Sequence, residues 1–397
     1  MKRKPHIVFV FHNENIDSGA SRSLMDIVTK LVESNQYRIS AIIPKHNANS
    51  ERIFSNLGIT SYVFCYSHLI QDLNQPFLLR LVKKPVYVIR HCNTYLEAIN
   101  ATKVFKNEDV DIVYSNTSTI IFGGYLGRLL HSKMIWHIRE FGKKDHHIVF
   151  YLGEKYIEKF INRNADAVLC VSKAVKNEHS KYIDASKMEV SYNSYSEDYI
   201  LPRDSFNKDN PLQMLLAGDI KPSKGQLETI EALAFFLRKY PEQAILHLAG
   251  TGKQKEYLKL IDKSITNNDL SNQVVFHGKV KEMGKLRKKI DIGIVASECE
   301  AFGRTTIEGM LSMMCMIGRA SGGTLEQIKP METGLLYDGT PEDLASKMEY
   351  LHLNRSEIER MAKQSFDESV ELHTKGRCQE IVDKTIKKVL SVNNPDK

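Results

Sequence analysis

Short apolar runs alternate with helix-length amphipathic stretches along almost the whole chain. The run IVFVFH (7–12) is followed by SRSLMDIVTKLVES (21–34), where Leu24, Ile27, Val28 and Leu31 recur at helical spacing. Further runs are RISAIIP (38–44), SYVFCY (61–66), DIVYSN (111–116), KMIWHI (133–138), DAVLCVS (166–172) and MEVSYN (188–193). Each is rich in β-branched or aromatic residues and is separated from the next by a helix-length segment. This rhythm predicts βαβ units and a buried parallel sheet. Between 198 and 211 it lapses into DYILPRDSFNKDNP, whose Pro, Asp and Asn predict a connection between domains. Alternation resumes with QMLLAG (213–218), AILHLAG (244–250), QVVFHG (273–278), IGIVAS (292–297) and MIGRA (316–320), with helices predicted over 224–240 and 302–313.

The pattern therefore predicts an α/β protein with two open parallel sheets. The first domain covers 1–200, a linker 201–211 and the second domain 212–370. The tail, 371–397, carries a helix over 374–391 with Ile381, Val382, Ile386 and Val389 on it. Its sequence leaves open whether it stays with the second domain or crosses back to the first. In such sheets ligands bind beyond the C-terminal strand ends, and a cleft between two of them suits two substrates.

A length of 397 residues accommodates two domains, and 42% hydrophobic with 26% charged residues describes an ordinary globular chain. The start, MKRKP, is basic, but the apolar run behind it is five residues long, shorter than a secretory signal core or a membrane span. Six cysteines at 65, 92, 170, 299, 315 and 378 show no C-x-x-C spacing, which reads as reduced thiols in an unexported, cytoplasmic chain without structural metal. The net charge of +7 is uneven: 26 basic against 20 acidic residues through position 200, and 29 against 28 beyond it. The excess gathers around FLLRLVKKPVYVIRH (77–91) and FGKKDHH (141–147). Such a basic, partly apolar face suits anionic lipid headgroups, giving a peripheral contact at the inner face of a membrane, or a phosphorylated partner; it equally suits a solvated surface. No basic stripe with interleaved aromatics points to nucleic acid.

The segment SECEAFGRTTIEGM (297–310) is the richest in chemistry. It follows the predicted strand DIGIVAS and opens a predicted helix, with Glu300 before the helix and Glu308 eight positions on. A strand–loop–helix junction presents unpaired backbone N–H groups to an anion. Gly303 allows close approach, and Thr305 and Thr306 add hydroxyl donors. Carboxylates so near a phosphate would repel it, so Glu300 and Glu308 are suited to accept hydrogen bonds from sugar or ribose hydroxyls. Taken singly, each glutamate reads equally as a helix-start or solvated helix residue.

Together with its neighbours the segment resembles the E-x7-E signature of retaining glycosyltransferases of the GT-B fold, in particular glycosyltransferase family 4. The signature reads Glu300-Ala-Phe-Gly-Arg-Thr-Thr-Ile-Glu308 and is followed by SGGTLEQI (321–328), similar to the family's G-G-x-x-E. AGDIKPSKGQLETIEAL (217–233) is similar to its G-R-x-x-x-x-K-G loop, and HLAGTGKQKEYLKLI (247–261) to its G-x-G turn. VVFHGKV (274–280) and TGLLYDGTPEDLASKM (333–348) resemble later segments, and SGASRSLMDI (18–27) the first glycine loop. The resemblance implies two Rossmann-like parallel-sheet domains facing across a cleft, the second holding a nucleoside-diphosphate sugar with no further cofactor and no metal. It implies that Glu308 holds the ribose, that Glu300 lies beside the donor sugar, and that Lys224 contacts the diphosphate. Gly218, Gly250, Gly303, Arg304 and Thr305 complete the donor loops. In the first domain, His137 of WHIREFG (136–142) aligns with a histidine near the reacting groups, and Gly19 lies on the loop nearest phosphate or acceptor. The activity implied is transfer of a hexose-type unit, with retention, to a saccharide or lipid-linked acceptor in surface polysaccharide or glycolipid synthesis.

One residue departs from the pattern. Asp219 stands where the family usually has Arg, and a carboxylate cannot replace a guanidinium beside a diphosphate. Lys221 and Arg304 are the cations placed to substitute. Two other readings keep the fold: an epimerase or hydrolase of sugar nucleotides, and a non-catalytic nucleotide-sugar-binding subunit, which Asp219 favours. Asp109-Val-Asp111 spells D-x-D but precedes a strand, and Gly250-Thr-Gly252 lacks the rest of a dinucleotide fingerprint.

Overall fold

The structure is a computed structural model that describes residues 3–17, 19–72, 78, 82–146, 148–206 and 211–392. Ser18, His147, parts of 77–91 and 207–210 of the predicted linker lie outside the described residues. The chain divides into two compact units, Met1–Ser194 with Gly376–Lys397, and Tyr195–Lys375.

In the first unit, strands β1 (His6–Val10), β2 (Arg38–Ile43), β3 (Thr60–Val63), β5 (Ile112–Asn116), β6 (Lys133–Ile138), β8 (Ala167–Cys170) and β9 (Met188–Val190) form one sheet, ordered β3-β2-β1-β5-β6-β8-β9. Every neighbouring pair is parallel. All five residues of β1 are buried and four of them are apolar, because helices cover both faces of a parallel sheet. On the helix Gly19–Ser34, Leu24, Ile27, Val28 and Leu31 are buried in one core with Ile7 and Phe9. Burial of each such side chain contributes roughly 1.5–3 kcal/mol. A short antiparallel pair, β4 (Ile70–Asp72) with β7 (Ile148–Phe150), stands apart from the main sheet. Its three-residue strands carry no period long enough to read.

The second unit holds β10 (Leu212–Ala217), β11 (Ala244–Ala249), β12 (Val274–Gly278), β13 (Ile292–Val295), β14 (Cys315–Arg319) and β15 (Gly334–Tyr337), ordered β12-β11-β10-β13-β14-β15 and parallel throughout. The strand pattern predicts all of these except β15, whose four residues begin with a glycine. The helix Gln226–Lys239 lays Ile230, Leu233 and Phe236 on the β10–β13 core. Residues 201–206 are fastened to this unit: Leu201 N donates to Leu311 O at 3.1 Å, and Arg203 pairs with Asp291 at 2.9 Å.

The C-terminal helix, Arg377–Ser391, belongs to the first unit. Val382, Ile386 and Val389 enter the core that holds Ile7 and Phe9. Tyr37 Oη donates to Asp383 Oδ1 at 2.6 Å, a bond that joins residues 346 positions apart. Asp111 has a structural part at the start of β5: its carboxylate accepts from His6 N at 2.7 Å and from Arg3 Nη2 at 2.9 Å.

Candidate functional site

In the second sheet, the strand order reverses direction between β10 and β13, and the loops leaving these two strands bound the crevice where open α/β sheets take their ligands. Lys224 leaves from β10 and Glu300 from β13. Their side chains meet: Lys224 Nζ donates to Glu300 Oε1 at 2.5 Å, and Ser297 Oγ donates to the same oxygen at 2.5 Å. Both ends of the ion pair keep some exposure, 26% for Lys224 and 15% for Glu300, so the pair is open to an incoming group.

Glycines make this meeting possible. Lys224 closes a single 3₁₀ turn, Pro222–Lys224, and Gly225 follows with φ +69° as the last residue before the helix Gln226–Lys239. A Cβ on Gly225 would lie 2.3 Å from Ala296 O, so the two loops touch backbone to backbone. The Glu298 N–H donates to Ser223 O at 3.1 Å and ties them together. Gly250 is as constrained: a Cβ there would lie 1.8 Å from Gly218 O, and one on Gly218 would reach 3.9 Å from Lys224 Cδ. On the other side, Gly323 N donates to Glu300 O at 2.7 Å, and a Cβ on Gly322 would lie 2.4 Å from that same oxygen. Gly19 differs: it is exposed at a helix start, and a Cβ there meets nothing within 4 Å. Gly225→Ala is accordingly expected to lower the stability of the second unit by at least about 2 kcal/mol, from left-handed backbone strain plus the clash. Gly19→Ala should leave stability unchanged. Thermal melts of the two variants check both outcomes.

Glu308 sits on the short helix Arg304–Met310, which Gly303 opens with φ +85°. Its carboxylate forms a close ion pair with Arg287 and lies 3.5 Å from Arg304 Nε. Arg304 in turn lies 4.6 Å above the Tyr195 ring. Its guanidinium is thus shared between a carboxylate and an aromatic face. Thr305 is half-buried in the first turn of this helix. Asp219 is exposed; its backbone oxygen accepts from Gln226 Nε2 at 3.0 Å, and Lys221 beside it is half-buried.

Around Gly303 lie buried polar atoms that have no hydrogen-bond partner among the described residues: Thr306 Oγ1 and both ends of the Gln327 carboxamide. A Cβ on Gly303 would lie 3.0 Å from Gln327 Oε1, 3.1 Å from Thr306 Oγ1 and 3.6 Å from Glu300 Cβ, so the absence of a side chain there leaves these groups around one small space. A buried polar group left unsatisfied costs about 1–3 kcal/mol. The sequence pattern does not single out Arg287, one of several bases in KEMGKLRKK (281–289), or Gln327.

The first unit has its own polar cluster at the C-terminal ends of β5 and β6. Arg139 donates from Nε to Asn116 Oδ1 at 2.6 Å, from Nη1 to Asn193 Oδ1 at 2.6 Å and from Nη2 to His137 Nδ1 at 3.1 Å. Because a guanidinium only donates, His137 Nδ1 accepts, and the ring is neutral. Burial, with the Arg139 charge beside it, holds the His137 pKa well below the usual imidazole range. The ring is wholly buried, as fits a residue that orients Arg139. Glu140 turns to Ser118, accepting from its N–H at 2.5 Å and its hydroxyl at 2.6 Å, and burial raises its pKa.

Comparison with known proteins agrees with this architecture. The profile of "Glycosyl transferases group 1" matches residues 200–367, and that of "Glycosyltransferase Family 4" matches 18–198. Uncharacterized glycosyltransferase MJ1178 of Methanocaldococcus jannaschii is 27% identical over 268 residues, 66% of this chain and 71% of that one. The chain spans about half the length of two further glycosyltransferases of that organism, 48% of MJ1607 and 51% of MJ1069. Among solved structures, Anabaena Alr3699/HepE in complex with UDP and glucose superposes with a TM-score of 0.74 at 19% identity, covering 96% of this chain and 99% of that one. A glycosyltransferase from Rickettsia africae gives 0.76 at 18% identity, covering 98% and 100%. With two Rossmann-like parallel sheets and both family profiles matched in order along its length, this chain belongs to the group 1, family 4 glycosyltransferases of the GT-B fold.

Proposed function

We propose that the second unit binds a nucleoside-diphosphate sugar and that the enzyme transfers its sugar, with retention of anomeric configuration, to a hydroxyl of a saccharide or lipid-linked acceptor. The observation that carries this reading is the Lys224–Glu300 pair at the strand-order reversal, beside buried polar groups that lack partners. A sugar diphosphate matches that arrangement. Its hydroxyls satisfy Gln327 and Thr306, and Glu300 accepts from the sugar. Lys224 neutralises the charge that grows on the departing diphosphate, as fixed cations do when a leaving group becomes anionic. Glu308, paired with Arg287 and Arg304, takes the ribose hydroxyls. In the first unit, Arg139, held by His137, Asn116 and Asn193, presents a fixed cation at the sheet edge. The transition state is oxocarbenium-like, as in other glycosyl chemistry, and retention follows from attack on the leaving-group face. The complex of HepE with UDP and glucose supports a donor of this class. A polysaccharide or glycolipid product accords with the family.

Asp219 bears on the second reading, a subunit that binds donor without turning it over. Among the described residues its carboxylate has no hydrogen-bond or ion-pair partner, and no guanidinium stands at that position. The two readings separate on turnover. Thermal-shift screening with uridine, guanosine and adenosine diphosphates and their sugars identifies the base, since a ligand of the folded state raises apparent stability. Glu308→Gln is expected to weaken that nucleotide about tenfold or more, the loss of a charge-assisted hydrogen bond. Undiminished binding by the variant would remove Glu308 from the site. Donor binding with no transfer across a broad acceptor panel favours the non-catalytic reading, and an inverted anomer in the product, read by NMR, rules out retention.

A further inference from the structure

Two buried histidines lie along the segment that carries Arg139, and they are in opposite states. His137 accepts from the guanidinium and is neutral. His179, the last residue of the helix Lys173–His179, is 2% exposed and has both ring nitrogens against acceptors. Nδ1 lies 2.7 Å from Oε1 of Glu158, on the helix Glu154–Asn164, and Nε2 lies 3.0 Å from Glu140 O. A carbonyl oxygen only accepts, so Nε2 carries a proton, and the short gap between Nδ1 and a carboxylate needs a second one. A carboxyl group is the stronger acid, so the ring keeps both protons and is an imidazolium. Burial by itself would lower the His179 pKa; the hydrogen bonds to Glu158 and to the Glu140 carbonyl outweigh it and raise the pKa above its ordinary value. The charged groups around the ring are Glu158, Glu140 with Asp145 beside it, and Glu178 of its own helix, which Lys144 pairs at 2.6 Å.

The carbonyl that His179 holds belongs to the loop after β6, and side chains hold the backbone of that loop elsewhere too. Arg139 N donates to Glu140 Oε2 at 3.2 Å, and Phe141 N and Gly142 N donate to the two Asp145 carboxylate oxygens, each at 2.9 Å. When the ring loses a proton, the one that remains stays with the carboxylate, the stronger and charge-assisted acceptor. The Nε2 lone pair then faces the Glu140 oxygen, and two acceptors left in contact in a buried site are costly. Deprotonation therefore releases the loop at the residue next to Arg139. Because the folded pKa is raised, the clamp is whole below about pH 6.5 and is lost as pH rises through that folded value.

We infer that His179, held as an imidazolium between Glu158 and the Glu140 carbonyl, is a positioning residue that fixes the loop of Arg139 and with it the guanidinium. The inference rests on the proposed transfer for what Arg139 does there, while the clamp itself is read without turnover. Its test is a pH titration of the full chain labelled with ¹⁵N in histidine and arginine, beside the pH profile of transfer. His179→Gln and Arg139→Lys assign the two signals. The His179 ring is expected to stay doubly protonated past pH 6.5, and the Arg139 Nε signal to move with the same midpoint. Transfer should show an alkaline limb in kcat at that midpoint with the KM for donor unchanged, since the donor site lies in the other unit. Glu158→Gln should bring the ring, the Arg139 signal and the limb together to lower pH by about one unit or more, which a merely structural role would not do. His179→Gln should abolish the limb and lower kcat about tenfold or more; if it does not fold, the parent chain and Glu158→Gln carry the test. A ring that titrates at or below pH 6.5, or an Arg139 signal that ignores the ring, would overturn the inference, as would a limb that Glu158→Gln leaves in place. An Arg139 signal that follows the ring in a chain with no transfer would uphold the clamp and remove the catalytic reading instead.

Discussion

Lys224→Ala is expected to lower transfer roughly a hundred- to a thousand-fold while leaving the fold intact. The ammonium is the cation that Glu300 holds at 2.5 Å, at the crevice between β10 and β13. Departure of a nucleoside diphosphate concentrates negative charge, and a lysine already in position stabilises that charge without reorganising at the moment of reaction. Glu300 keeps its Ser297 hydrogen bond in the variant, and the ion pair is partly open to water, so the effect on stability should be small. The measurement is turnover with the nucleotide sugar that gives the largest thermal shift, beside a thermal melt. Near-parental turnover in a folded Lys224→Ala protein would end the proposed role. Loss of turnover together with the melt would make the pair structural.

The largest expected stability effect lies away from the chemistry. Arg203→Ala should destabilise the second unit by about 3–5 kcal/mol, because it leaves Asp291 as an uncompensated buried charge. The two side chains are 5% and 4% exposed and 2.9 Å apart. Arg203 also donates to Ser205 O at 2.7 Å and Ile290 O at 2.8 Å, and Asp291 accepts from Gln213 N at 2.9 Å. The pair therefore binds the entering chain to the starts of β10 and β13. A loss of that size should lower the melting temperature by about 10 °C. Arg203→Met combined with Asp291→Leu should recover most of it, since removing both charges leaves no orphan. A single variant that melts like the parent chain would show the pair to be dispensable.

Much of the architecture is legible in the sequence because a parallel sheet covered on both faces imposes continuous apolar strands. Runs such as IVFVF and MLLA fit such a sheet and leave no room for a polar face. The β4–β7 pair and β15 are not legible, because three or four residues carry too little pattern. At the site, Glu300, Lys224 and their glycines stand out as an ordered set. Arg287, Ser297 and Gln327 do not: each belongs to a common residue type in an ordinary local context. Their importance comes from what lies next to them in space. The WHIREFG segment draws attention to His137, yet the residue that gathers bonds there is Arg139, reaching Asn116 and Asn193 from positions 23 and 54 residues away.

Taken alone, the sequence determined that this is an α/β chain of two parallel sheets and which glycine-bearing loops follow the strands of the second, since hydrophobic period and glycine placement are local properties. Only the tertiary structure decided that the last helix returns to the first unit and that Glu308 pairs with Arg287. Those outcomes depend on which surfaces meet once the chain is packed. An apolar helix face looks the same in sequence whichever unit's core receives it.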